Sequence, residues 1–237
     1  MLAIAAHVSP DLDPSITLGH LDDLASGFGG DGAAQLCGYL FRVVGFRGDT
    51  EHYYDQRNSC LDQVVARRLG IPITLSVVAL AVGRRAGVGL VGVGMPGHFL
   101  LRDAADPDAF FDPFTAGAGL DRVACREQFG RLHGPSVQFT DSMLDPTAPL
   151  QMVERILLNL TRIHLESQDR SSLAWVLRLR SLLPGADPSV LRQFAGVSST
   201  LGRFWESAAA FEQLAVVQPD RADAHLAAAH RLRANSN

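Results

Sequence analysis

The sequence predicts an α+β fold, with helices packed on a small antiparallel sheet, followed by an all-α region. Three observations predict it. First, Ile73 to Ala86 is a run of helical length that is apolar nearly all round, as a central buried helix must be. Second, Val88–Gly94, His98–Arg102 and Phe110–Phe114 are short runs rich in β-branched and aromatic residues, separated by turn formers. Third, beyond about residue 145 such runs stop and apolar stripes of helical period take over. The expected division is therefore 1–145 and 146–237.

Along the chain, Leu18 to Leu24 and Ala33 to Val44 have helical apolar spacing, and the stretch from Gly27 to Gly32 separates them. Asn58 or Ser59 is a suitable N-cap for a helix from Cys60 to Leu69, which would stop at Gly70. The central helix should close with Arg84 and Arg85 in its last turn and Gly87 beyond it. The glycines from Gly87 to Gly94 form no phosphate loop, because no Gly-Lys-Ser/Thr and no helix follow them. Gly119 to Phe139 reads as a helix and loop that complete the first domain. Met143 to Pro149, polar and proline-bearing, reads as the linker.

Chemistry concentrates on the second and third strands. The stretch Asp103 to Ala109 is full of turn formers, so its flanks should pair as a hairpin. Pairing about Ala105 places residues whose numbers sum to about 210 face to face, and His98 with Asp112 satisfies this. A carboxylate facing an imidazole fixes its tautomer and raises its basicity, which is half of a nucleophile-His-Asp site. The pair should border a groove beneath the central helix. The plain alternative is that His98 ends one strand and Asp112 begins a turn before Pro113.

Composition excludes several classes. The chain has 237 residues, 47% of them apolar, and a formal net charge of −4. Its 21 basic residues are all arginine and form no long block, so nucleic acid and anionic membranes have no electrostatic support as partners. Three cysteines, Cys37, Cys60 and Cys125, are too few and too scattered for a disulfide framework or a structural zinc site. The apolar opening Met1 to Ala6 ends at His7, short of a signal or membrane span. A cytoplasmic protein is expected, with no metal and no cofactor implied by any motif.

Four blocks then carry a resemblance: Tyr53 to Ser59, Arg67 to Ser76, Gly92 to Leu100, and Asp112-Pro113-Phe114. Together they resemble the SirB-type, invasion-regulator-like bacterial family, whose N-terminal half is similar to a transglutaminase core and whose C-terminal half carries tetratricopeptide-like helices. The resemblance implies a papain-related core, with His98 and Asp112 at the positions of the active-site histidine and aspartate. It also implies a cysteine opening the central helix, but Pro72 stands there. Proline at a helix N1 position is structurally natural and chemically inert.

Three residues could substitute as nucleophile. Thr74 and Ser76 lie in the first turns of the central helix, whose N-terminus would stabilise an oxyanion, although a hydroxyl there more often caps the helix or bonds back to its carbonyls. Cys60 opens the preceding helix, where a thiol has a lowered pKa, although free cysteines are usually small buried hydrophobes. Arg57 and Asn58 could line the cleft and hold a carboxylate or peptide carbonyl, or could tie the loop to the core.

In the C-terminal third, Ala195, Leu201-Gly202, Phe204, Ser207, Phe211 and Pro219 fall at the positions of one 34-residue tetratricopeptide repeat. Further helices are expected over Gln151–Glu166, Ser172–Leu183 and Arg221–Arg233. A single repeat cannot bury its faces alone, so this region should meet the first domain or a peptide or protein partner. Two functions follow. One is a pseudoenzyme, a regulatory module whose cleft holds a peptide or small ligand while the helices recruit a partner. The other is an acyl-transfer or amide-hydrolysing enzyme that uses a substitute nucleophile.

Overall fold

A computed structural model describes residues 1–234. The chain divides into two compact units, Met1–Met152 and Val153–Asn237. The first unit opens with α1 (Leu2–Val8), α2 (Pro14–Ser26) and α3 (Ala33–Gly38), and continues with β1 (Arg47–Gly48), α4 (Leu61–Arg67), β2 (Leu69–Gly70) and α5 (Pro72–Ala86). Four strands follow: β3 (Leu90–Val93), β4 (Leu100–Asp103), β5 (Phe110–Asp112) and β6 (Ala118–Leu120), then α6 (Arg122–His133). They form one antiparallel sheet in the order β3-β4-β5-β6, while β1 and β2 make a separate parallel pair. The result is α+β, as the sequence predicts.

The central helix is α5. Pro72 occupies its first turn and Gly87, at φ 74°, closes it in the left-handed conformation that glycine adopts without strain. Leu75, Val78, Ala79 and Val82 are fully buried and meet Leu21 of α2, Leu36 of α3, Val64 of α4, and Leu101 and Phe111 of the sheet. Burying each of the larger side chains is worth about 1.5–3 kcal/mol, so this cluster dominates the unit's stability. Leu80, on the outer side, is only half-buried.

The sheet has two faces, and strand alternation assigns them. Leu101 and Phe111 point into the α5 core, whereas Leu100 and Phe110 join Cys125 and Phe129 of α6 in a second core with Val93, Met95 and Leu144.

Several details differ from expectation. The helix expected through Val44 widens after Gly38 into a π-helix, Tyr39–Val43. Asn58 and Ser59 do not cap α4; they lie in a 3-10 turn, Gln56–Ser59, and Cys60 takes the cap position. The fourth strand, β6, has no alternating pattern in its three residues and was not anticipated. The stretch expected as a linker is docked instead. Pro146 bridges to Val93, the Thr147 N–H donates to Gly92 O at 2.8 Å, and the Gly94 N–H donates to Thr147 Oγ1 at 2.7 Å. Edge strand β3 offered unpaired backbone groups, and this segment satisfies them.

The second unit is helical: α7 (Pro149–Glu166), which begins in the first unit, then α8 (Arg170–Ser181), α9 (Pro188–Thr200), α10 (Phe204–Val217) and α11 (Ala222–Ala234). Leu173 and Leu177 of α8, Leu191 and Phe194 of α9, and Leu214 of α10 share one core. Gly202, at φ 74°, turns the chain between α9 and α10. The small residues Ala195 and Ser207 let those two helices approach, and the Ser207 hydroxyl donates to Ala195 O at 2.8 Å. Pro219 ends α10 by opening a short 3-10 turn.

Candidate functional site

His98 and Asp112 meet. His98 Nε2 lies 2.9 Å from Asp112 Oδ1, with the imidazole side chain 10% and the carboxylate 2% exposed. The route to this contact differs from the expected register. Pairing is Leu101 with Phe111 and Arg102 with Phe110, two positions along from a pairing about Ala105, so Asp112 falls opposite Leu100 and His98 lies before the strand begins. The contact therefore arises from the Gly97 turn that precedes β4, not from cross-strand facing.

Local structure fixes each partner. Gly97 at φ 75° makes the turn that swings His98 into place, and any Cβ there would come within 2.9 Å of the His133 ring. That ring in turn contacts Pro96 O through Nε2 at 3.0 Å. Asp112 ends β5 and caps the following turn, where its Oδ1 accepts from the Phe114 N–H at 2.9 Å. Its Oδ2 accepts from Gln128 Nε2, on α6, at 3.0 Å. Burial pushes the Asp112 carboxyl upward, but the His98 ring, the Gln128 amide and the Phe114 N–H outweigh it and hold the carboxyl below its ordinary value. Asp112 is thus an anion lying against the Nε2 edge of the imidazole.

Helix α6 reaches this pair through Gln128. Sequence reasoning missed Gln128, whose signal was a polar residue three positions after Cys125 and next to Phe129, within the buried stripe of its helix. Beside the pair stands an aromatic wall. The Phe114 ring meets His98 edge-on at 6.4 Å and Tyr53 at 5.9 Å, and Tyr53 meets the exposed Tyr54 at 5.2 Å.

The three substitute nucleophiles are placed otherwise. Cys60 is fully buried, with Sγ 3.5 Å from Gln56 O. Burial, with Asp62 and Asp55 adding to it, pushes its thiol up to about 12, the reverse of the lowered value expected at a helix start. Thr74 Oγ1 donates to Asn58 O at 2.7 Å and accepts from the Ile71 N–H at 3.1 Å. Ser76 Oγ donates back to Pro72 O at 2.9 Å. Both hydroxyls are fully buried.

Asn58, expected as a possible ligand-binding group, is at the centre of a buried knot. Its Nδ2 donates to Asp49 Oδ2 at 3.1 Å and to His52 O at 2.8 Å, and its Oδ1 accepts from Arg67 at 3.2 Å. Arg67 also reaches Asp49 at 3.2 Å, so it joins this network besides ending α4. Arg57 stays at the surface, its guanidinium paired with Asp55 through several contacts. Among the described residues, no group of three or more His, Cys, Asp or Glu is arranged to hold a metal, and no helix is long and apolar enough to cross a membrane.

The description "Transglutaminase-like superfamily" belongs to the family model that matches residues 4–158. The chain belongs to that superfamily. Among curated relatives, a UPF0162 protein of Xylella fastidiosa strain Temecula1 is 38% identical over 161 residues, covering 65% of this chain and 56% of its own. A UPF0162 protein of Pseudomonas aeruginosa is 34% identical over 171 residues, 69% of this chain and 63% of its own. The mouse F-box only protein 21 is 37% identical over 101 residues, 39% of this chain and 16% of its own. The chain thus spans a little over half the length of the bacterial relatives named here. No solved structure matches.

Proposed function

We propose that this chain is a transglutaminase-like protein of SirB type that no longer catalyses and instead binds, its cleft holding a peptide or small ligand and its tetratricopeptide-like C-terminal helices recruiting a protein partner. The observation that carries this reading is the contrast within one site. The imidazole and its carboxylate are paired at 2.9 Å, while Pro72 occupies the helix start and Cys60, Thr74 and Ser76 are buried against backbone carbonyls. Without a nucleophile no covalent acyl intermediate can form. The remaining parts suit recognition. Asp112 lies against one edge of the His98 ring, and Tyr53, Tyr54 and Phe114 beside it would flank an extended segment.

The test is acyl transfer followed by intact-protein mass spectrometry. The full chain is incubated with p-nitrophenyl acetate or a glutamine-containing peptide, with hydroxylamine as acceptor. The expected result is no acyl adduct and turnover equal to that of His98→Ala. A His98-dependent adduct on Cys60, Thr74 or Ser76 would overturn the reading in favour of an acyl-transfer enzyme. Selection from a displayed peptide library should enrich sequences with the wild type and not with His98→Ala.

A further inference from the structure

The turn that carries Asp112 and Phe114 is held by a segment from far back in the chain. It joins β5 to β6 through a 3-10 turn, Pro113–Thr115, then Ala116 and Gly117, and the Gly117 N–H closes it on Asp112 O at 2.8 Å. Ala116, at φ 54°, lies in the left-handed region, which an alanine keeps only where its surroundings over-determine the backbone. Those surroundings are visible at the next residue. A Cβ added to Gly117 would lie 2.8 Å from the Phe41 ring and 3.1 Å from Cys37 O, so the turn rests directly on the segment that continues from α3. From that segment the Arg42 Nε donates to Ala116 O at 3.4 Å. The Phe114 ring has a seat of its own, because a Cβ on Gly48 of β1 would run into it.

Phe41 and Arg42 belong to the π-helix Tyr39–Val43, in which the Val44 N–H reaches back five residues to Tyr39 O at 2.8 Å. A π turn adds a residue to the α register, is rare, and recurs at functional sites. Here its two middle residues are divided between core and surface. Phe41, 4% exposed, packs in the α5 core and touches the Asp112 turn at Gly117, while the exposed Arg42 bonds the same turn one residue earlier. The unusual local structure and the strained turn thus meet at two adjacent points.

We infer that this π-helix is a positioning element of the His98–Asp112 site: Phe41 and Arg42 set the turn, and the turn sets the Asp112 carboxylate against His98 with the Phe114 ring beside it. Phe41, Arg42 and Gly117 are positioning residues, since each acts on the pair through the turn. The inference names what holds the proposed cleft in shape and rests on that reading for its biological sense.

The test reads the Asp112 carboxyl by nuclear magnetic resonance in the full chain labelled with ¹³C-aspartate, titrated with no ligand present. The His98 ring, the Gln128 amide and the Phe114 N–H hold that carboxyl below its ordinary value against burial. A displaced turn loses those partners and keeps the burial, so its carboxyl is a weaker acid. Gly117→Ala should weaken the acid by about tenfold or more. Arg42→Ala should weaken it by about threefold, the worth of one exposed hydrogen bond, with the melting midpoint unchanged. Arg42→Lys, which keeps the charge and a donor, should restore the wild-type titration. Asp187, which caps α9 in the other unit, is the internal control and should not move. An unshifted Asp112 in Gly117→Ala and Arg42→Ala, or an equal shift in Arg42→Lys, overturns the inference. Where Gly117→Ala does not melt cooperatively, the two Arg42 variants decide alone. No ligand enters this measurement, so its failure is distinct from a failure to capture peptides.

Discussion

Asn58→Ala separates a ligand-binding residue from a structural one. In the structure Asn58 is fully buried and joins Asp49, Arg67 and the His52 carbonyl. Truncation removes two hydrogen bonds to charged groups, worth about 1.5–3 kcal/mol each, and one to a neutral carbonyl, worth about 1 kcal/mol. It also leaves Asp49, 5% exposed, with one partner fewer. The loss should therefore be about 4 kcal/mol, or a fall of roughly 8–16 °C in Tm for a unit of this size. Chemical denaturation monitored by far-ultraviolet circular dichroism measures it, with Arg57→Ala as the control, since that exposed pair should leave the midpoint unchanged. A loss under about 1 kcal/mol for Asn58→Ala would refute the assignment of this residue to the fold.

Other consequences are equally direct. Asp112 is held below its ordinary pKa, so its stabilisation is present above the unfolded carboxyl value of about 3.9 and is lost as pH falls through the lower folded value. The stability gap between wild type and Asp112→Asn should accordingly be widest above about pH 5 and shrink towards pH 3 in urea titrations; a gap that grows in acid contradicts the assignment. Burial pushes the thiols of Cys37 and Cys60 up to about 12 and that of Cys125 to about 11, so iodoacetamide at pH 8 should label the native chain negligibly and all three sites in urea. Fast labelling of native Cys60 would return it to candidacy as a nucleophile. Val78→Asp places an unpaired charge at a fully buried position of α5 and should leave the first unit unfolded, as read by loss of cooperative melting.

The features legible in the sequence were those governed by local period. The apolar run of α5, its proline start and its glycine stop are one-dimensional signals, and the structure places that helix within one residue of the expected bounds. The His98–Asp112 contact was expected from a hairpin register that the structure shifts by two positions, and the Gly97 turn before β4 is what brings His98 to the carboxylate. What could not be read was anything decided by distant partners. Gln128 reaches Asp112 across 16 positions, Arg67 reaches Asp49 across 18, and Thr147 bonds Gly94, just past β3, from 53 positions away. Cys60 illustrates the same limit, because helix position lowers a thiol pKa while burial raises it, and burial is a property of the packed chain.

The two halves of the expected active site are held by different parts of the fold. At the start of α5, Pro72 presets the helical φ, Thr74 bonds both the Ile71 N–H and the Asn58 carbonyl, and Gly70 leaves room for Thr74, whose Oγ1 would otherwise lie 2.9 Å from a Cβ. Every polar group named there serves the joint between the Asn58 knot and the central helix. His98 and Asp112 are anchored elsewhere, by the Gly97 turn and by Gln128 of α6. The hydrogen bonds named for the helix start and those named for the pair share no side chain. Under the reading proposed above, that pair would recognise a polar group of a ligand rather than serve a nucleophile.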